Sequence, residues 1–83
     1  MDIIHDKENR RFYTVIDDLE CFVKYTITQD SFNVYSTYVP KALSGRGIAA
    51  ALVKEAYDYS DSLGLIPQGT CSYAEIWLKR NRG

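Results

Sequence analysis

Gly45, Arg46 and Gly47 lie within the run Leu43-Ser44-Gly45-Arg46-Gly47-Ile48-Ala49-Ala50-Ala51, which has the composition of an anion cradle. Two glycines let a backbone turn tightly and come close to a ligand. The alanines keep that approach clear. A helix is predicted to start here, and the free N–H groups and partial positive charge of a helix N-terminus suit a phosphate or pyrophosphate. Arg46 adds the capacity for a charge-assisted contact. A plainer reading stands beside this one: the glycines shape a strand-to-helix loop and the alanines pack the helix on a sheet. Spacing alone does not separate the two. Two familiar phosphate motifs are set aside. Gly45, Gly47 and Ala50 match a Gly-x-Gly-x-x-Ala fingerprint, but that motif needs a parallel strand–helix–strand unit and an acidic residue about 20 positions on. Position 67 is a proline, and no Gly-Lys-Ser/Thr follows the glycines either.

Cys71 is the second residue with chemistry. It follows a short extended segment and precedes Ser72-Tyr73-Ala74-Glu75. That tetrapeptide reads as a capping box, with Ser72 at N-cap, Glu75 at N3, and Cys71 and Ile76 placed for the hydrophobic staple. A thiol beside a helix N-terminus feels the helix dipole, which favours the nucleophilic thiolate. The alternative is a small buried residue that only packs, as free cysteines often do. Cys21 reads as core, on the apolar face of an alternating strand. His5, among charges near the chain start, reads as a solvated edge residue. Two cysteines without ligand spacing and one histidine predict no metal site.

The elements that position these residues follow from periodicity. Phe12 to Ile16 is β-branched and aromatic, and Asp17-Asp18 punctuates it. From Leu19 to Thr28 the pattern alternates, with Cys21, Val23, Tyr25 and Ile27 on one face. Gln29-Asp30-Ser31 is a turn signal. A third strand runs from Phe32 to Val39, with Phe32, Val34, Ser36 and Tyr38 assigned to one face, and Pro40 ends it. Ile3-Ile4 is a candidate edge strand. Short turns predict an antiparallel meander of three or four strands. Ile48, Leu52, Ala56, Tyr59 and Leu63 then form one stripe of a helix, and Gly64 is its stop signal. Leu65 to Cys71 reads as a short extended segment before the last helix.

The whole has 83 residues, which is one small α+β domain (1–83), far too short for a β/α barrel. The longest nearly apolar run, Ile48 to Val53, is far below the roughly 20 residues a bilayer requires. Ten basic and eleven acidic residues, for a net charge of −1, leave no electrostatic footprint for nucleic acid or anionic membrane. No signal-peptide pattern opens the chain, so a cytoplasmic protein with reduced thiols is expected, a monomer or weak homodimer.

Val39-Pro40, Leu43, Gly45-Arg46-Gly47-Ile48-Ala49, Leu52-Val53, and later Pro67, Cys71 and Tyr73 resemble the minimal branch of the general N-acetyltransferase (GNAT) superfamily. The resemblance runs from about Phe12 to Trp77. It implies a trimmed acetyltransferase fold: an antiparallel meander with a splayed later strand and two helices. It also implies binding of coenzyme A or acetyl-coenzyme A, with transfer to an unidentified amine. By the same resemblance, Leu43, Ser44, Gly45, Arg46, Gly47, Ile48 and Ala49 would hold the coenzyme pyrophosphate, and the strand end at Tyr38-Val39 would pair with the pantetheine arm. Cys71 would act near the thioester. The sequence departs from the branch in having Ala42 where Gln or Arg is common and Ser36-Thr37 where His-Thr is common. It has Asn81-Arg82-Gly83 where His-Pro often follows. Two rival readings are a coenzyme-binding module without turnover and a small interaction domain whose glycines are structural.

Overall fold

The computed structural model describes residues 1–82. Five strands form one sheet in the order β1 (Ile4–Asp6), β2 (Arg11–Ile16), β3 (Leu19–Thr28), β4 (Ser31–Tyr38), β5 (Ile66–Gly69). The first four pair antiparallel and β5 pairs parallel to β4, so the sheet is mixed. Helix α1 (Ile48–Ser62) crosses over between β4 and β5, and α2 (Ser72–Arg82) follows. Asp17 and Asp18 both have positive φ, the requirement of a two-residue type I′ hairpin, so the expected β2–β3 punctuation is a tight turn.

One face of the sheet is covered by α1. The core joins Phe12, Cys21, Val23, Tyr25, Phe32 and Val34 from the strands to Ile48, Leu52, Val53, Ala56 and Tyr57 from α1. The helix therefore buries a broader stripe than the predicted one. Leu63 lies outside it, 46% exposed, while Val53, Tyr57 and Ser60 are buried. Beyond Leu63 the amide of Leu65 bonds Ser60 O at 3.1 Å and that of Gly64 bonds Asp61 O at 3.0 Å. This is the Schellman closure, and it needs the φ of +70° that Gly64 adopts.

His5 is not a solvated edge residue. Its ring stacks on Phe12 at 3.9 Å, meets Tyr59 edge-on at 4.4 Å, and its Nε2 lies 2.6 Å from the Tyr25 hydroxyl. Pairing of β1 with β2 puts His5 opposite Phe12, on the face that α1 covers. Loss of hydration, and secondly the Lys7 charge, hold the imidazole below its ordinary value of 6.5, against a smaller opposing pull from Asp6. The folded state thus prefers neutral His5. Above the unfolded value, both states carry the neutral ring and stability is complete. Below it the unfolded chain takes up a proton that the folded ring resists, so stability falls as pH drops. Denaturation midpoints measured from roughly pH 7.5 down to pH 5.5 should fall for the natural chain and less steeply for His5→Gln. Equal slopes would remove His5 from the pH dependence.

Candidate active site

The register of β4 decides the site. Pairing with β3 passes from Lys24–Ser36 to Tyr25–Val34, so Tyr35 is an extra residue, a β-bulge. Beyond it the faces of β4 exchange. Thr37 stands opposite buried Val23 and so shares its face, while Tyr38 stands opposite Phe22, ring to ring at 5.4 Å on the other side. The expected placement of Ser36 and Tyr38 with Phe32 and Val34 is therefore corrected.

Beside the bulge, β4 and β5 part. Their pairing ends at Val34–Gly69, and Thr70 and Cys71 send their amides to Val34 O at 3.1 and 3.5 Å before the chain turns into α2. From Tyr35 to Tyr38, β4 is paired only to β3, and its other edge is open. Gly69 permits the turn, because α2 passes directly over it.

Cys71 sits at this divergence. The capping box is not formed as expected: Ser72 is already helical, and the helix is capped one residue earlier. Cys71 O accepts the amide of Glu75 at 3.0 Å and its Sγ accepts that of Ala74 at 3.4 Å. Sulfur thus takes the place that an oxygen fills in common N-caps. Ile76 is 48% exposed rather than folded into a staple. Thr37 Oγ1 lies 3.3 Å from Cys71 Sγ, with either atom able to donate. Both thiols are free, Cys21 buried and Cys71 partly accessible. Behind them the Tyr57 hydroxyl donates to Gln68 O at 2.6 Å. Burial, and secondly nearby Cys71, push this phenol far above the ordinary tyrosine value, so it stays a neutral donor.

Thr37 was not singled out by sequence reasoning, because the bulge that turns it toward Cys71 leaves no mark in alternation. Removing its hydroxyl without changing its shape tests the contact. Thr37→Val should slow alkylation of Cys71 by iodoacetamide roughly threefold to tenfold, the scale of one hydrogen-bond partner, and Thr37→Ser should restore it. Equal rates in all three chains would make the contact incidental. Cys21, fully buried, does not interfere in the folded protein.

The loop before α1 has the geometry of an anion cradle. Gly45 and Gly47 adopt φ of +80° and +75°, and the space where each Cβ would stand is open for 4 Å. Gly47 caps α1 without a side-chain hydrogen bond, and the first turn carries no acidic residue. The leading N–H groups of α1 are thus left to an external acceptor. These features fit a diphosphate. A cavity of about 320 Å³ opens here, lined by Val39, Leu43, Ser44, Gly45, Gly47, Ile48 and Ala49 together with Ala50 and Tyr73. Seven of the residues singled out in the sequence therefore share one cavity. Tyr38 and Arg46 do not line it. Tyr38 has its ring on the opposite face of the sheet, and the Arg46 guanidinium reaches Asp17 at 3.4 Å. Both partners of that pair are well exposed, so it holds Arg46 only weakly.

Comparison with known proteins bears on the family and the fold. A family model described as GCN5-related N-acetyl-transferase matches residues 11–83. Protein NATD1 of Xenopus tropicalis is 30% identical over 80 residues, covering 93% of this chain and 73% of that protein. The solution structure of a GCN5-like candidate N-acetyltransferase from Staphylococcus aureus shares the fold with a TM-score of 0.75 at 22% identity. That likeness covers 95% of this chain and 78% of the other. With a match extending from β2 through α2, the chain belongs to the GCN5-related N-acetyltransferase family.

Proposed function

We propose that this protein binds acetyl-coenzyme A and transfers the acetyl group to an amine. The observation that carries the reading is the uncapped N-terminus of α1, preceded by two left-handed glycines and opening on the Val39–Tyr73 cavity. Backbone N–H groups from Gly45, Arg46, Gly47, Ile48 and Ala49 hold the diphosphate there, where the helix dipole favours negative charge; the amides of Leu43 and Ser44, expected to join them, are instead donated to Pro40 O and Lys41 O, and these two residues only line the cavity. The open edge of β4 at Tyr38 and Val39 offers peptide groups to the amide-bearing arm, as an exposed strand edge does to a peptide. When bound, the coenzyme supplies an activated acetyl thioester.

Cys71 is the nucleophile in this reading. Its Sγ forms the bond to the acetyl carbon, the coenzyme sulfur leaves, and the thiol proton goes with it, so that free coenzyme A departs. The amine then takes the acetyl group from Cys71 and returns a proton to the sulfur. Ala74 N–H and Thr37 Oγ1 hold Sγ at the divergence of β4 and β5.

Calorimetric titration with acetyl-coenzyme A and with coenzyme A tests the cradle. Micromolar binding of either is expected; no heat and no thermal stabilisation at millimolar ligand would overturn it and favour an interaction domain. Intact-mass analysis after mixing tests the nucleophile. One added acetyl group is expected, absent in Cys71→Ala, which keeps coenzyme affinity. Binding without acetylation or amine turnover would leave a coenzyme-binding module.

A further inference from the structure

The sheet has a second face that no helix covers. Helix α1 packs on one side, and α2 lies beside it there, with Trp77 against Tyr57 at 5.7 Å. The least dimension of the chain, 17 Å, is that of one sheet layer and one helix layer. Water-facing positions of an antiparallel sheet are ordinarily polar. Here the strand registers align Ile4 with Tyr13, Tyr13 with Phe22 and Phe22 with Tyr38, which makes one apolar row across four strands. Ile4 and Tyr38 are each 49% exposed, and Val15 beside the row is 56% exposed. A contiguous apolar patch of this kind marks an interaction surface.

The charges around the row select the occupant. Glu20, Phe22 and Lys24 fall at every second residue of β3, so an acid and a base flank the ring at equal distances along the strand. Lys24 Nζ lies 5.1 Å from its own Phe22 ring and pairs with no carboxylate among the described residues. Glu20 accepts a hydrogen bond from Arg11 at 2.7 Å, yet its side chain stays 45% exposed. A two-fold axis lying along the apolar row turns a second sheet over onto the first. It sets Phe22 on Phe22 and each Lys24 over the other copy's Glu20, which is the self-complementarity that a two-fold interface demands. Aligned sheets pack in this way, face to face about 10 Å apart. The broad side of the chain measures 36 by 28 Å, room for the roughly 800 Å² per partner of a stable interface. Single-stranded nucleic acid also stacks on open aromatic surfaces, but it needs an excess of cations. On this face Arg11 and Lys24 are balanced by Asp6 and Glu20. We infer that the chain forms a two-fold dimer by packing these open sheet faces, with Phe22 at the centre and a Lys24–Glu20 pair on either side. The cavity before α1 is walled by loop, α1 and α2 residues and stays accessible in this dimer.

Sedimentation equilibrium at micromolar to millimolar concentration tests the inference. The mass should rise with concentration from 9.5 kDa toward twice that value. Phe22→Thr removes the ring but keeps a good strand former, and it should hold the chain at the monomer mass. Lys24→Glu should weaken the dimer about tenfold, because symmetry counts each lost pair and each new repulsion twice. Glu20→Lys alone should weaken it too. The two charge substitutions together should restore the dimer, since they exchange the signs and keep the match. That double variant also guards against a folding defect, because a misfolded chain would not regain the dimer. A constant 9.5 kDa at millimolar concentration would overturn the inference and leave the face to a different partner. A dimer that none of these substitutions weakens would overturn it as well, by placing the contact elsewhere. The coenzyme reading is independent and survives either result.

Discussion

Gly69→Ala is expected to lower the melting temperature by roughly 10–20 °C, the equivalent of about 2–3 kcal/mol in a domain of this size. A Cβ at position 69 would stand 2.8 Å from Ala74 Cβ, 2.9 Å from Ala74 C and 2.9 Å from Glu75 N. Two of these neighbours are backbone atoms of a helix, so no rotamer change relieves the contact. Ala74 is itself fully buried, which leaves α2 only the option of lifting away from β5. Lifting it withdraws Cys71 from Thr37 and opens the cover over Tyr57, so the thiol should also become more accessible to alkylation. A stability of the order of 4–12 kcal/mol is typical for such a chain, so the variant should still fold at room temperature and show its damage on heating. A melting temperature within about 2 °C of the natural one would show that α2 is not seated on Gly69 in solution.

Gly45→Glu is expected to remove coenzyme binding, by at least about 100-fold, from a chain that still folds. A Cβ added at position 45 meets nothing within 4 Å, so the side chain starts into open space. Its backbone cost is the left-handed φ of +80°, about 1–2 kcal/mol for a residue with a Cβ. The larger effect is on the ligand. A carboxylate about 4 Å from a phosphate charge costs between ~1 and ~4 kcal/mol as the surroundings pass from water to a protein surface. A diphosphate doubles that encounter, and about 2.7 kcal/mol already corresponds to 100-fold. Gly45→Ala carries the same backbone strain without the charge, so calorimetry on both variants separates the two effects. The alanine variant should lose at most about tenfold. Full affinity in a folded Gly45→Glu chain would move the diphosphate elsewhere.

Much of this architecture was legible because local physics and tertiary need agreed. Alternation from Leu19 to Thr28 marks β3 with its bounds intact, since Cys21, Val23 and Tyr25 do face the core. Gly64 announces the end of α1 because only a left-handed residue closes a Schellman motif without strain. The glycine loop was legible as a candidate cradle for the same reason, as Gly45 and Gly47 do adopt positive φ. His5 was misread because a histidine among charges gives no local sign of the aromatic rings brought to it from β2, β3 and α1. The capping box was displaced by one residue because Cys71 Sγ, not Ser72, reaches the free amide of Ala74.

Residue types and spacing, by themselves, determined the order of strands and helices, the turn at Asp17-Asp18, the glycine loop before α1 and the thiol before α2. Each depends on the φ preferences and burial tendencies of neighbours in the chain. Only the tertiary structure decided that β5 runs parallel to β4 and parts from it after Val34, and that the bulge at Tyr35 turns Thr37 rather than Tyr38 toward Cys71. It also set the α2 face beside the glycine loop, so that Ala50 and Tyr73 join two cavities. The reason is one of range. A bulge and a strand divergence are settled by partners across the sheet, such as Lys24, Tyr25 and Gly69, and hydrophobic alternation along one strand carries no record of them.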